Sequence, residues 1–383
     1  METIDKNSVV TEAPPLAVSD EQGEVPLVIP ARPKVSQVRH RDPAHMLHPR
    51  GPRTQPMQGF DDEFTDIVDY IYRITYRIWV NRAVGLIYRY YDHACTVYTP
   101  YATTRTVEDV VASTGTMLHA FPDRESHFLN VAWSGDEVSG FYTSHLGFSR
   151  MTNKGPTLYG PATGKRVLIR TAADCISLNN KIHTEWLIRD NGALVRQMGL
   201  DRHHVARKLA EQEPQEVPSL SATSRMRGQN GPIELEMPRE TPAQLIAHAL
   251  HDFWNRRRFD VLDDLYRPDV IVHSAGGRIA IGVRNLAALM LSLLASVPDA
   301  TLRLEHACWS EERDGVIVAA RWTLEGTTRT GGLLGDVPAN RQIAMTGISH
   351  FRLAGRRIAE EWTLFDEVAV LVQAYRGING HGN

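Results

Sequence analysis

Glu361-Trp362-Thr363-Leu364-Phe365-Asp366 and Glu185-Trp186-Leu187-Ile188-Arg189-Asp190 are two versions of one skeleton, set 176 positions apart. Each reads as a strand with apolar and β-branched residues at a period of two. Trp362, Leu364 and Asp366 therefore share one face, and Glu361, Thr363 and Phe365 share the other. The aspartate closes an apolar face. That placement is costly unless the acid is paired, hydrogen-bonded or neutral, and a carboxyl with a shifted pKa is what general acid/base chemistry requires. Asp366 and Asp190 are accordingly the first candidate catalytic residues.

The same offset holds elsewhere. Pro122-Asp123 matches Pro298-Asp299, Trp133-Ser134 matches Trp309-Ser310, Val167 matches Ile343 and Ile182 matches Ile358. Between 133 and 160 the register slips by about two residues. One offset kept over so many positions marks a duplicated domain and not a solenoid. The copies occupy residues 60–210 and 241–383. Residues 211–240, rich in Pro, Ser, Glu and Gly, have the composition of a linker. Residues 1–59 lack the basic start and apolar core of a signal peptide and are expected to be a flexible arm. Within them, residues 44–57 (AHMLHPRGPRTQPM) hold too many prolines for a helix and suit an extended run across a neighbouring surface.

At 383 residues the chain has ample length for two hydrophobic cores. A net charge of −3 gives no footprint for nucleic acid, and no run of eighteen apolar residues offers a membrane span. The expectation is a cytoplasmic protein that binds neither. Cys95, Cys175 and Cys308 are far apart in apolar runs, so buried thiols are expected, not bridges or metal ligands. The chain has no Gly-rich phosphate loop, no His-Glu-x-x-His, no Cys-x-x-Cys and no serine elbow. Chemistry without metal or cofactor is what remains.

Both copies present the same order of elements. In the second, Thr241 and Pro242 start a helix, a short helix through Leu262 follows, and a strand runs through Val270 to His273. A helix over 285–296 precedes strands at 300–309, 315–325, 341–353 and 357–366. The first copy repeats this with helices over 62–79 and 107–118. Helices followed by a long meander predict an α+β domain, a curved antiparallel sheet wrapped around its N-terminal helices.

At this point the residues resemble a family. Residues 335–371 (GDVPANRQIAMTGISHFRLAGRRIAEEWTLFDEVAVL), with Val297-Pro298-Asp299 and residues 309–326, are similar to SnoaL-like polyketide cyclases, which share the cone fold of nuclear-transport-factor-like proteins. In the first copy the resemblance rests on Phe121-Pro122-Asp123, residues 160–167 and residues 185–199 (EWLIRDNGALVRQMG). It implies two tandem α+β cones, and an aspartate on the final strand that points into the cone and serves as acid/base in an aldol ring closure. The matching positions are Asp366 and Asp190. The family's histidine on the neighbouring strand corresponds to His350, where the first copy has Asp174.

Asp174 with Asp190 would give two carboxylates in one cavity, of which one should stay protonated. Arg170, at i and i+4 with Asp174, would clamp an acid or an oxyanion. Tyr98 and His145 are candidate oxyanion donors, with Tyr101, Trp133 and Trp186 as lining. In the second copy His273, Trp322 and Trp362 line the pocket around Asp366 and His350, a pair suited to proton shuttling. The richer polar set favours the first copy. The expected function is a cofactor-independent acid/base enzyme, an aldol or retro-aldol lyase, cyclase, isomerase or dehydratase, acting on a small hydrophobic, aromatic or polycyclic molecule. Alternatives are a non-catalytic ligand-binding or oligomerisation module, a lyase releasing formaldehyde from lignin-derived diaryl compounds, and an epoxide hydrolase-like set of Asp174, Arg170 and Asp190. The two copies are expected to form an internal pseudo-dimer, with homodimers of the chain as a further level.

Overall fold

The computed structural model describes residues 27–38, 51–212 and 239–376, together with residues 16–18 and 47–48. The linker over 211–240 lies largely outside the described residues. Two short strands, β1 (Leu16–Val18) and β2 (Leu27–Ile29), precede the domains. In the first domain Asp66 caps helix α1 (Ile67–Trp79) by accepting the Asp69 amide at 2.8 Å. Then come α2 (Ile87–Tyr90), β3 (Tyr91–Tyr98), β4 (Thr103–Thr104), α3 (Val107–Ala120), β5 (Glu125–Asp136), β6 (Gly140–Thr152), β7 (Arg166–Leu178), β8 (Lys181–Arg189), α4 (Asn191–Gln197) and α5 (Arg202–Ala210).

The second domain opens on a capping box, Thr241 with Gln244, that starts α6 (Pro242–Trp254) with proline in its first turn. It continues through α7 (Leu262–Leu265), β9 (Tyr266–Ser274), β10 (Arg278–Ile281), α8 (Val283–Ser296), β11 (Thr301–Glu312), β12 (Gly315–Thr327), β13 (Gln342–Ala354), β14 (Arg357–Phe365) and α9 (Glu367–Tyr375). Helices α4, α5 and α9 were not legible beforehand.

Each domain holds one six-stranded sheet, ordered β4-β3-β8-β7-β6-β5 and β10-β9-β14-β13-β12-β11. The expectation of a purely antiparallel sheet needs correction: β3 runs parallel to β8, and β9 to β14. A period of two reports which face a residue occupies, not which way its strand runs, and the long connection through α3 or α8 permits the parallel pairing.

One face of each sheet closes over its own helices as a cone. The other face packs against the other domain. There Leu146, Ala172 and Ile188 of the first sheet meet Ile348, Trp362 and Leu364 of the second, and Ala132 and Tyr142 meet Cys308, Ile317 and Ala319. Because both faces are buried, strands such as β12 read as nearly unbroken apolar runs. The contacts are reciprocal, as in a two-fold interface: Ser134 Oγ lies 3.4 Å from His306 Nε2, while Ser310 Oγ donates to the Val131 carbonyl at 2.6 Å.

Part of the segment expected to be a flexible arm is packed. Leu27 and Ile29 are buried in the core of the second domain, and the Val28 amide donates to the Glu240 carbonyl at 3.0 Å. Arg32 lies between Trp133 and Trp309, its guanidinium 3.9 and 4.4 Å from the two ring centroids. It also donates to the main-chain carbonyls of both tryptophans.

Candidate functional site

Strand register decides what each cone contains. On the inner face of the first sheet, Ser149 pairs across from Ser126, Gly147 from Thr171, His145 from Ala173, and Thr171 and Cys175 from Arg189 and Glu185. Side chains two residues apart on a strand share a face, so these form adjacent rows on one wall. With Trp79 and Ile71 of α1, Tyr91 of β3, and Arg124 ahead of β5, they enclose a cavity of about 60 Å³.

The polar groups of this cavity are unusual in what they lack. His145 Nδ1, Thr171 Oγ1 and Arg189 Nε are buried without a hydrogen-bond partner among the described residues. Such atoms are rare in folded proteins and call for an explanation. Burial drives the His145 imidazole down to about 4, so it is neutral at neutral pH. Arg124 is only 7% exposed; its Nε donates to Ser126 and Ser149 at 3.1 Å each, and its guanidinium lies 4.3 Å from the Trp79 ring centroid. Burial, and then the neighbouring charge of Arg189, lower Arg124 to about 9. Glu185 accepts the Tyr91 hydroxyl at 2.9 Å, and burial raises its pKa.

The second cone keeps one element of this set. Glu361, 176 positions after Glu185, accepts the Tyr266 hydroxyl at 2.7 Å, and burial raises it too. Its other oxygen accepts Thr363 Oγ1 at 2.5 Å; Thr363 lies 2.8 Å from Ser349 Oγ, which accepts Trp322 Nε1 at 2.9 Å. That chain is satisfied from end to end. The ladder places Ala320 where the first cone has His145, Phe365 where it has Arg189, and Gly347 where it has Thr171. Trp322 fills the space over Gly347, and the remaining cavity is about 50 Å³.

Of the residues singled out in the sequence, His145 faces the first cone and Trp322 the second. The placement of Asp190 and Asp366 inside the cones is corrected. Each follows the last strand and caps the next helix, with its carboxylate spanning the two domains. Asp190 accepts amides of Ala193, Gly276 and Gly277 at 3.0, 2.7 and 3.0 Å. Asp366 accepts Val368 and Ala369 amides, the Tyr101 hydroxyl at 3.2 Å and the Asn191 side-chain amide. Burial raises both, Asp366 to about 7.

Asp174 and His350 also lie on the outer faces, not in the cones. Asp174 accepts the Tyr142 hydroxyl and pairs with Arg321 of the other domain at 3.4 Å. His350 lies 2.6 Å from Asn130 Oδ1 and 2.9 Å from Ser144 Oγ. Arg170 lies 3.0 Å from His273 Nδ1, His273 stacks on Trp362, and Trp133 holds Arg32. None of these lines the cavity of a cone, although Trp133 packs in the first domain's core beside Phe141. Tyr98 and Trp186, stacked at 5.5 Å, do come together with Asp366, lining a cleft of about 450 Å³ between the domains alongside Arg303, Glu305 and Gln373. Sequence reasoning passed over Arg124, Thr171, Arg189 and Glu185. The signal available was the repeat of Glu185 at Glu361, on the strand face opposite the aspartates.

Residues 244–374 match the family model described as SnoaL-like polyketide cyclase, the family that residues 297–299, 309–326 and 335–371 resemble. The second domain has that family's fold, and the first repeats it. No curated protein matches the chain. Among solved structures, the chain is similar to wild-type IdmH from Streptomyces antibioticus, described as a candidate polyketide cyclase: 26% identity, 34% of this chain and 96% of that one covered, TM-score 0.30. A candidate polyketide cyclase from Acidithiobacillus ferrooxidans gives 20% identity, 36% and 97% coverage, and a TM-score of 0.30. A protein of ketosteroid isomerase-like fold from Catenulispora acidiphila DSM 44928 gives 17% identity, 34% and 92% coverage, and 0.29.

Proposed function

We propose that the first cone is the active site of a cofactor-independent acid/base enzyme, with His145 as general base. The observation that supports this reading is the polar wall of His145, Thr171, Arg189 and Arg124, whose counterparts in the second cone are alanine, glycine, phenylalanine and Ala300. A neutral, buried imidazole takes a proton from a carbon next to a carbonyl. The developing oxyanion is then stabilised by Arg189 and the Thr171 hydroxyl, groups already desolvated and aimed inward. Return of the proton to another carbon gives isomerisation; its delivery to a β-hydroxyl as the C–O bond breaks gives dehydration with loss of water; attack of the carbanion on a carbonyl, with the proton passed to the new alkoxide, gives aldol closure. The Trp79, Phe128 and Phe148 rings suit a small hydrophobic or aromatic substrate.

The test is turnover of a panel of small aromatic β-hydroxy ketones and β-diketones, followed by mass spectrometry, for wild type and His145→Gln. Loss of one proton-transfer group predicts a fall in kcat of roughly 10²–10⁴-fold. Unchanged turnover in the variant would remove His145 from the chemistry.

A second reading places the ligand in the cleft between the domains, the larger space at about 450 Å³, within the usual range for small-molecule pockets. Asp366 would then be its acid/base, and Asp366→Asn, not His145→Gln, would abolish turnover.

A further inference from the structure

We infer that the wall formed by Arg124 and Arg189 is an anion subsite, and that the molecule taken by the first cone carries a carboxylate. The inference rests on the active-site reading of that cone and specifies its substrate class.

Two guanidinium groups line one cavity, and neither forms an ion pair among the described residues. Arg124 donates from Nε to two serine hydroxyls, which are neutral. Arg189 Nε has no hydrogen-bond partner among the described residues, and both guanidinium groups lie near the Trp79 ring, at 4.3 and 5.9 Å from its centroid. Glu185 stands four residues from Arg189 on the same strand face and acts on it electrostatically, but its carboxylate is engaged by Tyr91 and forms no close ion pair with the guanidinium. Two guanidinium groups facing one carboxylate that is already hydrogen-bonded leave a net positive wall, and two like charges sharing it are expensive. Two other buried guanidinium groups are paired with carboxylates: that of Arg73 is met by Asp69 at 2.7 Å, and that of Arg321 by Asp174 and Glu305.

Chemistry selects the ligand. Arginine presents a planar fork that fits a carboxylate bidentately, and burial strengthens the contact. With the carboxylate against the two forks, adjacent carbons reach the next row of the wall, where His145 stands two residues along from Gly147. The cavity of about 60 Å³ admits a carboxylate and a few carbon atoms without displacement of the lining rings. A small organic acid with an acidic C–H next to a carbonyl fits that description.

The test uses the full chain and two matched pairs of probes, propionate with propionamide and butyrate with butyramide, measured by isothermal titration calorimetry. The carboxylates are expected to bind at least tenfold more tightly than the amides, with Arg189→Gln and Arg124→Gln each removing that preference. Arg303→Gln, in the cleft between the domains, should leave it intact. In the unliganded state Arg189→Met should melt at a higher temperature than wild type, since one of two like charges on that wall is gone. Should Arg124→Gln fail to fold, Arg189→Gln carries the test alone. Equal binding of acid and amide, or full carboxylate affinity in Arg189→Gln, overturns the inference. Carboxylate binding through the arginines that survives in His145→Gln, with no acid turned over by wild type, leaves the anion subsite standing and defeats the catalytic reading. Turnover that depends on His145 but is confined to neutral ketones does the reverse.

Discussion

Asp190 shows how a correct signal can carry a different meaning. An aspartate ending an apolar strand has to be satisfied, and it is, by three main-chain amides from two domains. The following helix, invisible as a pattern because Asn191–Gln197 is only seven residues long, supplies one of them. The requirement for hydrogen bonds was legible; the identity of the donors depended on a partner domain 86 residues away in sequence. Asp190→Ala should therefore cost about 2–4 kcal/mol, combining the loss of a helix cap with two buried amides left unpaired. Asp190→Asn, which keeps an acceptor, should cost less. Urea denaturation of the two variants measures this. A variant that loses turnover at unchanged stability would return Asp190 to the chemistry.

At the scale of elements, the strands were legible and their facing was not. Trp362 and Leu364 lie on one face and Glu361, Thr363 and Phe365 on the other, as period two requires. Both faces are buried, so hydrophobicity could not say which one lines the cone. The cavity lies on the side of the glutamates. The two cones also show how one element is filled in two ways. Where Thr171 and Gly147 leave room in the first, Gly347 and Trp322 close the second, and a β-carbon on Gly347 would come within 2.2 Å of the indole. Gly347→Ala should destabilise the second domain by about 1–3 kcal/mol through overpacking, read as a lowered denaturation midpoint. Turnover at 25 °C should persist if the first cone is the working one, and a loss of turnover without unfolding would point to the second.

For the whole molecule, the duplication was the most legible feature, because a fixed offset survives where individual residues diverge. Packing between the copies was not, since it rests on polar groups that resemble catalytic ones. His350 is one of these. Burial holds it down to about 3, and His306 and His145 to about 4, against an ordinary value of ~6.5. Unfolded histidines take up protons near pH 6.5 while the folded ones do not, so stability present above that pH is lost as pH falls towards 3–4. Asp174 and Asp366, raised to about 6 and about 7, act in the opposite sense: their contribution is complete below ~3.9 and fades as pH rises through those values. His350 alone should account for on the order of 5 kcal/mol of acid sensitivity once the pH has fallen to about 3. His350→Gln should accordingly give a flatter profile of denaturation midpoint against pH below 6. Parallel profiles would mean that the folded imidazole accepts a proton.

Arg32 occupies a position that two identical subunits could not share. Trp133 and Trp309 are the same residue of the two copies, and the slot between them holds a single guanidinium. In a dimer of separate chains two arms would compete for that one slot, and half of them would always be turned away. Joining the copies in one polypeptide settles the competition in advance: there is one arm, it has one place, and the assembly is lopsided from the moment it is synthesised. Once the halves are distinguishable in this way, nothing obliges them to do the same work. One cone is free to fill itself with Trp322 and Phe365 while the other keeps its histidine and its arginines open.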